Sequence, residues 1–135
     1  MKTAKEILQF FYLLLKESSL AQAVNGDVYL DGYRPRSSKA EDIIVAFTTG
    51  NAEQIQQGVV TVNVFVQDIA PYKNGVKVEN GQRTMEIEQL ASAWFGSLTA
   101  QLDYKLSLND IIGTYADEQT SSHFVSIPIY YEYKE

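Results

Sequence analysis

The stretch "GVVTVNVFVQ" at 58–67 constrains the fold of this chain more than any other. Its residues alternate with a strict period of two, which a β-strand satisfies and a helix does not. Val60, Val62, Val64 and Val66 share one face, the face for a core. Val59, Thr61, Asn63, Phe65 and Gln67 share the other. That second face is mixed and carries a large aromatic, so it suits solvent, a helix or a neighbouring subunit. The alternation stops at Gln67, and helical spacing begins only near Gln82. The interval holds Pro71, Asn74-Gly75, Asn80-Gly81 and little apolar bulk. A connection this long in a compact domain is usually functional or disordered. We therefore expect residues 68–81 to project as an exposed arm, mobile until the protein assembles. Asn74-Gly75 suits a tight hairpin tip between "IAPYK" and "VKVEN".

The rest of the chain supplies partners for that strand. Ile7, Phe10, Phe11, Leu14 and Leu15 fall at helical spacing, and Thr3 and Glu6 have the capping-box separation, predicting a helix over about 3–23. "DVYL" at 27–30 and "DIIVAF" at 42–47 read as strands, with the polar connection "DGYRPRSSKAED" between them and a turn in "TTGNAEQIQQG". Ile87, Leu90, Ala91, Trp94, Leu98 and Leu102 predict a second helix over about 82–102. Two strands follow, about 104–112 and 122–133; Pro128 assigns the last to a sheet edge or a bulge. The expected fold is a single α+β domain over 1–135, in the order α-β-β-β-α-β-β. Short connections suit a mostly antiparallel sheet, with two helices packed on one face.

Residues 1–23 also carry features of a signal peptide: early lysines, an apolar run and a small-x-small ending at Ala21-Gln22-Ala23. Glu6, Gln9 and Lys16-Glu17 interrupt or bound that run and favour the amphipathic helix. The run from Ile7 to Leu15 is too short to span a bilayer, and no membrane association is expected. The chain has no cysteine, which removes disulfides, thiolate nucleophiles and cysteine metal sites together. Formal charge is −6 at pH 7. Most of the acidic excess lies after Gln67. Nucleic-acid binders show the opposite balance, because their affinity comes from cations that neutralise phosphates. Tight DNA or RNA binding is not expected.

No stretch has a catalytic signature. His123 stands beside Ser121 and Ser122, the residue types of a Ser-His-Asp triad, but a lone histidine among serines more simply opens a strand. One histidine without cysteine gives zinc too few ligands. The carboxylate pairs Glu41-Asp42, Glu86/Glu88 and Asp117-Glu118 have no motif around them, and solvated charge accounts for each. The glycines match no phosphate loop. Tyr33, Arg34 and Arg36 around Pro35 have the chemistry to stack on a base or clamp an anion, although a polar connection explains them too. Tyr130, Tyr131 and Tyr133 suit either a subunit interface or cross-strand pairing within one subunit. No catalytic, cofactor-binding or metal residues are assigned.

With the elements ordered, "RPRSSKAEDIIVAF", "QIQQGVVTVNVFVQDI", the polar arm and "RTMEIEQLASAWFGSL" resemble a prophage protein group of the Bacteroides type. The whole-chain pattern is similar, more distantly, to phage tail completion and head-tail joining proteins of the tail-terminator kind. That resemblance implies a non-catalytic structural subunit in a homo-oligomeric ring that meets other tail or connector proteins. It also implies a place in the cytoplasm during assembly and in the virion if the prophage is functional. On that reading the assembly contacts are Pro71, Tyr72, Asn74, Gly75, Val76 and Val78 of the arm, with Phe65, Tyr33, Arg34 and Arg36. The alternative is a small non-viral module that binds a protein or a ligand.

Overall fold

A computed structural model describes residues 1–51, 55–98 and 103–134. Its centre is the strand expected from the valine alternation. This strand, β3 (Gln56–Gln67), pairs antiparallel along its whole length with the last strand, β6 (Ser122–Tyr133). On its other side β3 pairs antiparallel with β2 (Ile43–Asn51), and the short β1 (Val28–Leu30) adds to β2 in parallel. Beyond β6 lie two strands, β4 (Tyr104–Leu108) and β5 (Gly113–Asp117), both antiparallel to it. They follow each other along β6: β4 reaches as far as Ile129 and β5 begins opposite Ser126.

This layout corrects the reading of Pro128. The proline lies in an interior strand, not an edge strand. Its carbonyl accepts from the Asn109 N–H at 2.8 Å, so this residue's polar groups point toward the β4–β5 side. That side is where the two short strands leave a gap, and the β3 ladder loses no hydrogen bond to the missing N–H. Three strands rather than two follow the long helix, because "GTYAD" forms β5. The connection "TTGNAEQIQQG" is also narrower than expected, since 48–51 extend β2 and 56–58 open β3; residues 52–54 lie outside those described.

One face of the sheet carries the core. Across it run the register rows Ile43–Val64–Val125, Val45–Val62–Ile127 and Val60–Ile129, all fully buried. The helices close over this face. Helix α1 (Ala4–Lys16) buries Ile7, Phe11 and Leu15, and its N-terminus has the full Thr3–Glu6 capping box. The expected single N-terminal helix is broken at Ser18, whose extended backbone ends α1 and caps α2 (Ser19–Ala23). The Ser18 hydroxyl accepts from the Ala21 N–H at 3.0 Å and donates to the Leu15 carbonyl at 2.6 Å. It thereby satisfies both helix ends at the break.

Helix α3 (Gly81–Ser97) buries Thr84, Ile87, Ala91 and Trp94. Leu90 is 37% exposed, at the margin of that stripe rather than in the core. Leu98 is the C-cap, and Leu102 lies outside the described residues. Asn80-Gly81, read from sequence as a turn signal, instead starts this helix: the Asn80 side chain accepts from the Arg83 N–H at 3.3 Å. Glu86 and Glu88 consequently lie beyond the first turn. Arg83 fastens α3 to the rest of the fold, with a bidentate pair to Glu41 at 2.7 and 2.8 Å and a bond to the Ala23 carbonyl at 2.8 Å.

The C-terminal tyrosines divide between the faces. Tyr130 points to the outer face and donates to Gln57 at 2.7 Å. Tyr131 and Tyr133 join Phe10, Phe11 and Tyr104 in an aromatic cluster, with Phe10 and Tyr104 stacked at 4.0 Å. Cross-strand packing within one subunit therefore accounts for these two. Burial, reinforced by the neighbouring tyrosines, pushes the Tyr104 phenol up to about 12. Tyr131 is fully buried, and its hydroxyl has no hydrogen-bond partner among the described residues. It fits only because glycines stand opposite: a Cβ on Gly58 would lie 2.7 Å from that hydroxyl and 2.2 Å from the Thr49 carbonyl oxygen. An unpaired buried hydroxyl costs stability. Tyr131→Phe is therefore expected to melt at or above the wild-type temperature, with a gain of up to about 1 kcal/mol. A fall of several degrees in a calorimetric scan would show that the hydroxyl does find a partner.

Candidate functional site: the arm and the outer sheet face

The arm is a small hairpin with a fixed base. Ile69 and Val78 exchange backbone hydrogen bonds at 2.9 and 2.8 Å, and the Gly75 N–H donates to the Tyr72 carbonyl at 3.3 Å. Gly75 has φ +74°, a left-handed conformation that glycine adopts without strain. The Asn74 side chain accepts from the Val76 N–H at 3.0 Å and rounds off the tip. The expected tight tip is present but one residue earlier than read: the turn runs Tyr72–Gly75, with Lys73 and Asn74 at its centre and Gly75 closing it. Asn74 and Gly75 shape the tip, while Tyr72 and Val76 present apolar surface, 61% and 52% exposed. Pro71 is also exposed and Val78 half-buried. Ile69, not among the expected contacts, adds a further exposed apolar side chain.

His123 holds the base. Its Nδ1 lies 2.7 Å from Asp68 Oδ1, where the arm leaves β3, and its Nε2 lies 3.7 Å from Glu79 Oε1, where the arm returns. Glu79 also accepts from the Thr84 hydroxyl at 2.6 Å, and the Asp68 N–H donates to the Ser121 carbonyl at 3.1 Å. One imidazole thus spans both ends of the arm. The segment free of the domain is shorter than the 68–81 read from sequence, because 68 and 79–81 are tied down.

No described helix covers the outer face of the sheet. Tyr115, Phe124 and Phe65 form a stripe across it, with ring centroids 5.9 and 5.6 Å apart. At its end the Arg34 guanidinium lies 4.2 Å from the Phe65 ring centroid. Residues 31–42 explain why Arg34 is there. Strands β1 and β2 are parallel neighbours, so the chain must travel back between them, a return usually made by a helix. Here an irregular segment makes it, and side chains satisfy its backbone. Arg34 Nε donates to Asp42 at 2.8 Å, and its Nη2 donates to the carbonyls of Ala40 at 3.2 Å and Ser38 at 3.4 Å.

Asp42 is itself buried, and it accepts from the Asp27 N–H at 3.0 Å and from the Ser38 hydroxyl. Burial pushes its carboxyl up, but the hydrogen bonds from Arg34, Ser38 and Asp27 outweigh this and hold it below the usual aspartate range. The expectation of solvated charge at Glu41-Asp42 is therefore corrected: Asp42 holds the return segment, and Glu41 grips Arg83. Of the three candidates around Pro35, Arg34 is committed to structure, while Tyr33 and Arg36 stand exposed. Arg36 joins Asp31, Ile44 and Asn63 around a shallow concavity of about 390 Å³ beside Phe65. The Asn63 side-chain oxygen there is buried without a hydrogen-bond partner among the described residues.

Against known proteins, the chain matches no family model and no curated protein.

The His123 cluster has a charge-relay outline in part, with a carboxylate on Nδ1. A triad needs a nucleophile on the other nitrogen. Here Nε2 faces Glu79, and the Ser122 hydroxyl bonds to Thr120 at 2.6 Å. The two carboxylates meet opposite ring nitrogens and do not converge on one point. Among the described residues no cluster of three or more His, Asp or Glu side chains is placed to hold a metal. No described helix is long and apolar enough to cross a membrane.

Proposed function

We propose that the protein is a structural subunit of phage or prophage tail assembly, acting without catalysis in tail completion or head-tail joining as a homo-oligomer. The resemblance named above supports this reading, and one observation carries it. The hairpin exposes Ile69, Tyr72 and Val76 on a segment that contributes none of the buried core. Apolar side chains held out on a shaped, anchored hairpin are suited to gripping another chain. The net charge of −6 fits a subunit past which DNA moves without being held.

Replacing residues 70–77 with a short Gly-Ser turn tests it. The Ile69–Val78 bridge and the His123 base remain, and loop-closure entropy depends weakly on length, so the melting temperature is expected to stay within a few degrees of wild type. Self-association, followed by sedimentation velocity, is expected to be lost. Unchanged assembly would remove the arm from the contact. Portal, capsid and tail genes beside its own gene would support the tail placement. A second reading, a small binding module, draws on the outer face, where the Tyr115–Phe124–Phe65 stripe ends at the concavity beside Arg36.

A further inference from the structure

Two exposed surfaces of the chain have complementary chemistry. The first is the arm. Between Asp68 and Glu79, both facing His123 at the base, the arm carries Lys73 and Lys77 and no acid. Its tip therefore combines two positive charges with the exposed Tyr72 and Val76.

The second surface is a groove of about 330 Å³ between α3 and the connection from β4 to β5. Glu88, Gln89 and Ser92 line its helical side, and Leu108, Ile111 and Ile112 line the other. Ile111 is 75% exposed and Leu108 40%. Met85, one turn before Glu88 and Gln89 on the same helical face, is 60% exposed. Apolar side chains left so open in one place mark an interaction surface. The charged residue of the lining is Glu88, which accepts from the Thr114 hydroxyl at 2.6 Å, and Asp110 stands next to Ile111. Among the described residues, no lysine or arginine lines the groove.

The geometry points to the arm of one copy seating in the groove of the next. Tyr72 and Val76 would cover Leu108 and Ile111, and Lys73 and Lys77 would face Glu88 and Asp110. This rests on the homo-oligomer reading above and adds which surfaces meet. Copies with a net charge of −6 repel one another at long range, so a positive tip meeting an acidic groove also selects the orientation of approach. Two different surfaces join, so unless two copies dock reciprocally about a twofold axis the contact is heterologous and repeats from copy to copy until a ring closes.

The experiment uses two variants of the full chain at exposed positions, with circular dichroism melts to confirm that each is folded. Lys73→Glu/Lys77→Glu disables the arm, and Ile111→Asp disables the groove. Sedimentation velocity is expected to show larger assemblies for wild type and self-association weakened by about tenfold or more in each variant. An equimolar mixture of the two is expected to give a one-to-one dimer and nothing larger, since one intact arm and one intact groove survive per pair. Tyr72→Ala and Asp110→Lys form a second pair should either first variant fail to fold. Variants that assemble like wild type would overturn the docking and leave the homo-oligomer reading standing. Variants that are monomeric both alone and when mixed would overturn the arm-to-groove pairing. A wild type that stays monomeric at high concentration would overturn the homo-oligomer reading and the docking with it.

Discussion

Val62→Asp is expected to leave the chain unfolded or aggregated at room temperature. Val62 is fully buried, and its register partners Val45 and Ile127 are fully buried too. The new carboxylate would sit in the middle of the apolar face with no cation in the core cluster to pair with. An unpaired buried charge costs several kcal/mol, comparable with the total stability of about 5–15 kcal/mol of an ordinary domain. The control is Thr61→Asp, one residue away on the outer face, which should fold and melt cooperatively. The reverse outcome, with Val62→Asp folding and Thr61→Asp not, would mean that the faces of β3 are exchanged.

Arg34→Ala is expected to destabilise the protein by about 3–5 kcal/mol, because it leaves the buried Asp42 carboxylate without its cation. The two carbonyls that Arg34 satisfies would also need new donors. The same site gives an acid dependence of known sign. Asp42 is held below its ordinary range in the folded state, so its contribution is present above the unfolded aspartate value near 4. It is lost as pH falls below that value toward the lower folded one. Denaturant melts of wild type between about pH 6 and 2 should therefore lose stability at the acid end. Asp42→Asn should be weaker at neutral pH and flatter on the acid limb. An Asp42→Asn protein with the full acid slope would assign that slope to other carboxylates.

Much of the layout was legible because burial on one face writes a period into the sequence. The Val60–Val66 alternation and the Ile7–Phe11–Leu15 stripe both face the core as read, and the fold is α+β with helices on one face of a mostly antiparallel sheet. What escaped was set by neighbours distant in the chain. Strand β5 has no apolar alternation in "GTYAD" and exists through its pairing with β6. Pro128 reads as an edge residue until two short strands are seen to leave a gap beside it. The parallel β1–β2 pair was hidden because a crossover normally announces itself as a helix, and here it is the segment containing Arg34. The break at Ser18 did have a local signal, a serine with capping geometry inside the helical run. Of the site, a tight tip near Asn74-Gly75 was readable from its turn residues, although the turn centres on Lys73-Asn74. The His123 base was not, since Asp68, Glu79 and His123 meet only through the β3–β6 register.

The order of strands has a consequence for how the chain reaches this state during synthesis. The longest ladder, β3 with β6, joins residues distant in the chain throughout, from Gln67 and Ser122 at one end to Gln56 and Tyr133 at the other. Until residues 122–133 emerge, β3 has its bond row with β2 but offers an open edge on its other side. Such an edge invites pairing with other chains. Non-local pairing is slow because the loop must close before the contacts form. A ribosome-bound chain ending near Gln67 should therefore depend on chaperones, and nascent copies made close together on one message risk joining through β3 before their own last strand arrives.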